Sequence, residues 1–408
     1  MKLRAHPSTR LQARGFALAG SLAIGLALFA PLALPSARGP SAAALGATKE
    51  SSRDKNADWL THEDPSAPAA KRAGPFPNRP QDQLWVVSCR GAPSAAVERA
   101  TSRLRYWQYQ APGQQASGQQ ASGQQVSGQQ ASGQWLPSDR DSFVAASIPS
   151  STSCVFVAGN GYTDAETRAL GRSAYLGLSR GLSAETPLRF VIWSWPSDRT
   201  DAAVIQDLRI KAARTDRVAW HLAEWLNETA AGLDCSLIGA SFGVRVAGGA
   251  LHLLGGGRLG GYALTQRNGS LAPMPVLFIS PAIDNDWLLP GHRFGRAMSQ
   301  VERLLLVNNS SDRMLKRYHW LYGRRSPAEA LGHSGLVAAS RFGDDREKIS
   351  QFDAAAVIGP QHGCGPYFQS SALAARMRAH LIESGSSAPT MRGHSMPAAY
   401  SGNQSPAD

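Results

Sequence analysis

Residues 235–257 read CSLIGASFGVRVAGGALHLLGGG, placing a short apolar run, a G-x-S-x-G and an apolar-periodic segment in direct succession. Residues 235–240 have the length of one buried strand. Val244, Ala247, Ala250, Leu251 and Leu254 then recur at helical spacing, and three glycines at 255–257 stop the helix. Ser241 therefore stands at a strand-to-helix junction between Gly239 and Gly243. A nucleophilic serine must project from a very tight turn there, and side chains two positions to either side would collide with neighbouring backbone unless they were glycine.

Working outward, apolar runs alternate with longer helical patterns from Gln81 to Ser384. Such alternation predicts an α/β fold whose sheet is parallel for most of its strands. The expected strands are LWVVSC (84–89), RYWQY (105–109), CVFVA (154–158), RFVIWSW (189–195), CSLIGA (235–240), VLFIS (276–280), RLLLVNN (303–309) and AAAVIG (354–359), eight in all. Thr163 with Glu166 three residues later signals a capping box ahead of a helix carrying Leu170, Tyr175 and Leu178. Val218, Leu222, Trp225 and Leu226 mark the core face of a helix ending near Thr229.

A serine becomes a useful nucleophile only when a histidine takes its proton and a carboxylate holds that histidine's tautomer. In a strand–turn–helix setting of this kind the partners follow in the order Ser, Asp, His. Asp312, just past the LLLVNN run in NNSSD, is the expected acid, with Asp284 in SPAIDND as second candidate. His362 in VIGPQHGCGPYF is the expected base, and His333 in ALGHSGL is the competitor that fits the topology less well. The tetrahedral oxyanion needs two preorganised donors. One is the Phe242 N–H; the other is expected from Gly159 or Asn160 in VFVAGNGYT, where glycine lets the backbone turn an amide inward. Trp193 and Trp195 at the end of the RFVIWSW run and Pro196 after it are readable either as pocket rim or as packing.

These segments, VFVAGNGYT, FVIWSWPSD, LIGASFGVRVAGGALHLLGG, FISPAIDND, NNSSDRML and HGCGPYF, together resemble the α/β-hydrolase superfamily. More narrowly, they resemble a bacterial group of uncharacterised serine hydrolases, over roughly residues 84–381. The resemblance implies a mostly parallel eight-stranded sheet with helices on both faces and a Ser241, Asp312, His362 triad. It also implies an acyl-enzyme on Ser241 that cleaves an ester, with amide and thioester bonds open to the same residues. Superfamily members often carry His-Gly where Ala158-Gly159 stands here, so the second oxyanion donor departs from the common pattern. The short segment between Asp286 and Val301 leaves little room for a large lid and favours an open cleft. The expected substrate is a small-molecule or lipid-like acyl compound, and no cofactor is implied. The competing reading is a noncatalytic binding or envelope protein that keeps the turn as architecture.

The 408 residues are 43% hydrophobic and 18% charged, enough to bury a sizeable core and incompatible with wholesale disorder or a collagen-like fibre. One large domain is expected over 81–384. The net charge of +12 suggests nucleic acid, yet half of it falls within residues 1–80 and the rest forms no tight Lys/Arg cluster, so a nucleic-acid partner is not expected. Basic residues at 2, 4, 10 and 14 precede the apolar stretch FALAGSLAIGLALFAPLAL, so residues 1–44 are expected to be an export signal or an N-terminal membrane anchor. The protein is then periplasmic, secreted or held at a membrane by that segment. Residues 45–80 read as a linker and 385–408 as a tail. Residues 113–132 are four tandem pentads (GQQAS, GQQAS, GQQVS, GQQAS), expected to form a low-complexity surface loop. Cys89, Cys154, Cys235 and Cys364 are too widely spaced for a zinc ribbon or a C-x-x-C pair, so no metal site follows from them and buried thiols are expected. A Cys154–Cys235 disulfide is the alternative in an oxidising compartment.

Overall fold

Alternation along the strands organises the protein, seen here in a computed structural model that describes residues 79–92, 103–111, 133–147, 151–230, 234–266, 271–323 and 325–383. The expected export or anchor segment, the linker except its last two residues, the repeat loop and the tail lie outside the described residues. Among the described residues no helix is long and apolar enough to cross a membrane.

In chain order the strands are β1 (Gln83–Ser88), β2 (Arg105–Gln110), β3 (Gln134–Ser138), β4 (Thr152–Val157), β5 (Leu188–Ser194), β6 (Cys235–Ala240), β7 (Met274–Ile279), β8 (Val301–Asn308) and β9 (Ile349–Asp353). The helices are α1 (Arg140–Ala145), α2 (Asp164–Ser179), α3 (Val204–Thr229), α4 (Gly243–Leu254), α5 (Leu331–Ser334), α6 (Ala355–Ile358), α7 (Gly365–Gln369) and α8 (Ser371–Arg378). The strands form one sheet in the order β3-β2-β1-β5-β4-β6-β7-β8-β9. From β1 to β9 all neighbours are parallel, while β2 and β3 add an antiparallel edge.

The sheet is buried on both faces. Trp85 and Val87 of β1 join one core with Phe143 of α1, Val218 and Leu222 of α3 and Val244 and Leu251 of α4. Leu84 and Val86 point the other way, into a second core with Tyr175 and Leu178 of α2, Phe368 of α7 and Met377 of α8. Near-continuous apolar strands such as CVFV and LFI follow from this double burial. The capping box forms as expected: Thr163 Oγ1 accepts from the Glu166 N–H and Glu166 returns a bond to the Thr163 N–H. Helix α4 stops at Gly255, and Gly256 takes a φ of +81° to turn the chain away.

The sheet has nine strands where eight are expected, and four elements differ from the sequence reading: β3, β9, α6 and α3. Edge strand β3 is short, half-exposed and interrupted by Pro137, which an edge tolerates because one side needs no ladder donor. Residues 354–359 are not a strand. Asp353 Oδ1 accepts from the Ala355 N–H (2.9 Å) and from the Ser310 N–H (3.1 Å), turning the chain out of the ladder into the short helix α6, and Gly359 closes the turn with a φ of +68°. The last strand is instead the polar ISQFD immediately before it. Helix α3 starts at Val204, well before the periodic run that predicts its second half.

Trp193 and Trp195 are fully buried, which resolves them as packing rather than pocket rim. The segment between β7 and β8 sinks Leu288, Leu289 and Phe294 into the core. All four cysteines are buried free thiols. Cys154 and Cys235 lie on adjacent strands one register step apart, Cys154 opposite Ser236. Burial pushes the Cys235 thiol up to about 12, so it stays protonated at neutral pH.

Candidate active site

The chain runs from β4 through α2 to β5 on one side, then returns through α3 to β6 on the other side of β4. The carboxyl ends of β4 and β6 thus flank the point where the winding reverses, the place where an open α/β sheet leaves a crevice. Ser241 follows β6, Gly159 and Asn160 follow β4, and Asp312 follows β8. His362 comes from the loop after α6.

The turn at Ser241 is as tight as the glycine spacing demands. Ser241 has a φ of 51°, a left-handed conformation that non-glycine residues rarely adopt. Its N–H donates to the Ile279 carbonyl of the adjacent strand (2.9 Å), and its carbonyl accepts from the Val244 N–H (3.0 Å). A methyl group on Gly243 would lie 2.1 Å from the Val157 carbonyl oxygen and 2.8 Å from that of Ala158. Gly239 is less crowded, with Val244 Cα at 3.0 Å. The obstacles at Gly243 are backbone atoms that cannot rotate away, so Gly243→Ala is expected to cost roughly 1–3 kcal/mol of stability through overpacking. Urea unfolding of the variant against the parent measures it, and an unchanged midpoint would contradict the close approach of α4 to β4.

Three of the expected side chains meet in a continuous chain. Ser241 Oγ lies 2.7 Å from His362 Nε2. His362 Nδ1 lies 2.6 Å from Asp312 Oδ2. Asp312 is fully buried, and its second oxygen, Oδ1, accepts from the N–H groups of Met314 and Leu315, both at 2.9 Å. That division of labour leaves Oδ2 for the imidazole alone. A carboxylate facing Nδ1 holds the proton on that nitrogen, so Nε2 presents its lone pair to the serine hydroxyl.

The two second candidates stand elsewhere. Asp284 accepts from the hydroxyls of Tyr318 (2.6 Å) and Tyr322 (2.8 Å). Both tyrosines in turn receive the buried Arg245 guanidinium at 2.9 Å, so this aspartate is part of a structural cluster behind α4. His333, on α5, makes no bond to Ser241 or Asp312, and among the described residues its Nδ1 has no hydrogen-bond partner.

Around the oxyanion position the expected residues are close to the serine. A methyl group on Gly159 would sit 3.1 Å from Ser241 Cβ and 3.5 Å from its Oγ, so this glycine lets the backbone pass directly beside the hydroxyl. Among the described residues the N–H groups of Gly159, Asn160 and Phe242 donate to no backbone carbonyl, whereas the next one, on Gly161, is taken by Ser197 O (2.8 Å). Trp195 Nε1 donates to Ala158 O (2.9 Å).

Asn309 is a residue the sequence reading leaves without a role. Fully buried, it donates its side-chain amide to the carbonyls of Gly359 (2.8 Å) and Gln361 (3.2 Å), tying the acid loop to the histidine loop. Its only sequence signal is position: it stands three residues before the acid. Among the described residues no group of three or more His, Cys, Asp or Glu side chains is arranged to hold a metal ion. In comparisons with known proteins, no family model and no curated protein matches this chain.

Proposed function

We propose that the protein is an exported serine hydrolase of the α/β-hydrolase type, cleaving an ester or related acyl bond through an acyl-enzyme on Ser241. The observation that carries this reading is the unbroken chain from Ser241 Oγ through the His362 imidazole to the buried Asp312 carboxylate, at 2.7 and 2.6 Å. His362 Nε2 takes the hydroxyl proton as Oγ attacks the acyl carbon, and the carbonyl electron pair moves onto oxygen. Collapse of the tetrahedral species expels the alcohol, which leaves with the proton from His362. A water molecule then repeats the sequence on the acyl-enzyme, freeing the acid and restoring Ser241.

The developing oxyanion is received by the Phe242 N–H and by the N–H of Gly159 or Asn160. Trp195 supports the second donor: a trans peptide points its N–H opposite to its C=O, so fixing Ala158 O on the indole directs the Gly159 N–H the other way. Glycine in place of a bulkier residue beside Oγ leaves space for the acyl group.

A fluorophosphonate probe, which phosphonylates an activated serine, tests the reading. Labelling of the parent at Ser241 and none in Ser241→Ala is the expected result. Equal labelling of both, or of neither, would leave the turn as architecture and favour a noncatalytic binding role.

A further inference from the structure

Arg214, Arg217, Val218 and His221 follow the i, i+3, i+4, i+7 spacing of one face of α3. All four line a cavity of about 260 Å³ whose opposite wall includes Cys89 and Pro196. Cys89 follows β1 and Pro196 follows shortly after β5, so the cavity opens at the carboxyl ends of two neighbouring parallel strands. It shares no lining residue with the Ser241 site.

Its chemistry is one-sided. Among the described residues the wall carries two guanidinium groups and no Asp or Glu. Arg214 donates to the Pro196 carbonyl, which orients it across the cavity, and among the described residues no carboxylate pairs with Arg214 or Arg217. His221 is 2% exposed, yet among the described residues neither ring nitrogen has a hydrogen-bond partner. Buried polar groups in folded proteins are almost always paired, so an imidazole orphaned at both nitrogens and facing a cavity marks a place where a ligand completes the bonding. Burial, and secondarily the charge of Arg217, pulls the imidazole down to about 4. It is therefore neutral at physiological pH, with one donor and one acceptor to offer. The Cys89 thiol, raised to about 12 by burial, is likewise uncharged and presents no repulsion to an anion.

We propose that this cavity binds a phosphate group, free or as a monoester, held by Arg214 and Arg217 with His221 bonding a further oxygen. Three separately placed polar groups match the tetrahedral oxygens of phosphate, whereas a planar carboxylate has only two oxygens to share among them. The neutral imidazole suits either protonation state, donating to a P–O⁻ or accepting from a P–OH.

Titration calorimetry on the full chain at constant ionic strength tests the proposal, using inorganic phosphate for the free ion and glycerol 2-phosphate for the monoester. Saturable binding of one probe or both is expected, weakened roughly tenfold or more in Arg217→Gln and in His221→Phe, since each removes a direct bond to the anion. Arg217→Lys, which keeps the charge, is expected to fall between parent and Arg217→Gln. Thermal unfolding of each variant confirms that it is folded before binding is read. No saturable binding to the parent, equal affinity in folded Arg217→Gln, or acetate binding as tightly as phosphate would overturn it.

Discussion

Turnover of an acyl ester is expected to fall by roughly 10⁵–10⁶ in Ser241→Ala and by a similar factor in His362→Ala, with the double variant no worse than either. The reason is structural coupling. Ser241 Oγ and His362 Nε2 share one hydrogen bond of 2.7 Å, and in the proposed mechanism neither acts without the other. Removing the imidazole leaves a hydroxyl whose proton has nowhere to go; removing the hydroxyl leaves a base with nothing to activate. If the two groups acted independently, the losses would multiply. Steady-state kcat on short and long acyl esters measures both singles and the double, and multiplicative losses would show that the 2.7 Å contact is not a working pair. The residual rate in each variant reports what the oxyanion donors and substrate binding supply by themselves. It is expected to stay above the uncatalysed rate because the N–H groups beside Ser241 do not depend on either side chain.

How legible the site is in the sequence depends on how local each signal is. The turn at Ser241 is legible because its glycines stand in the motif itself, although the backbone that excludes a side chain at Gly243 is the end of β4, more than eighty positions away. Asp312 and His362 are found from order and strand-end position, but the sequence has no way to distinguish them from Asp284 and His333 by chemistry alone. What separates the pairs is tertiary. Asp284 is drawn into hydrogen bonds with Tyr318 and Tyr322, residues more than thirty positions away, and Asn309 brings the His362 loop to the acid across fifty positions. The central parallel strands are legible because burial on both faces makes them apolar throughout. The edges β3 and β9 are not, because a strand paired on one side can be polar and can hold a proline. The run AAAVIG misleads for the complementary reason: its apolar side chains reflect a short helix against the sheet end, with Val357 57% exposed, and the bond from the Ala355 N–H to Asp353 at its start is a contact rather than a composition. The early half of α3 escapes because the charged residues between Val204 and Arg217 dilute its periodicity. Two of those residues, Arg214 and Arg217, turn out to face the cavity described above.

Asp312→Asn is expected to lower kcat by roughly 10⁴ while leaving the fold intact, a larger loss than a nearly isosteric change suggests. The two oxygens of Asp312 are not equivalent. Oδ1 accepts from the Met314 and Leu315 N–H groups, so the amide oxygen of an asparagine is obliged to take that place. The amide NH₂ then occupies the position of Oδ2, 2.6 Å from His362 Nδ1 in the parent, and it can only donate. Nδ1 must become the acceptor, which moves the imidazole proton to Nε2 and points it at Ser241 Oγ. The base then faces the nucleophile with a donor instead of a lone pair, and the hydroxyl keeps its proton. Because the backbone donors fix the amide orientation, rotation of the asparagine offers no escape: turning it over would bring the NH₂ against two N–H groups. Fluorophosphonate labelling of the variant is expected to slow in parallel with kcat, while its unfolding midpoint moves little. A variant that retained a tenth or more of the parent kcat would mean that Asp312 serves only to cap the turn at Met314 and Leu315, and that another group orients His362.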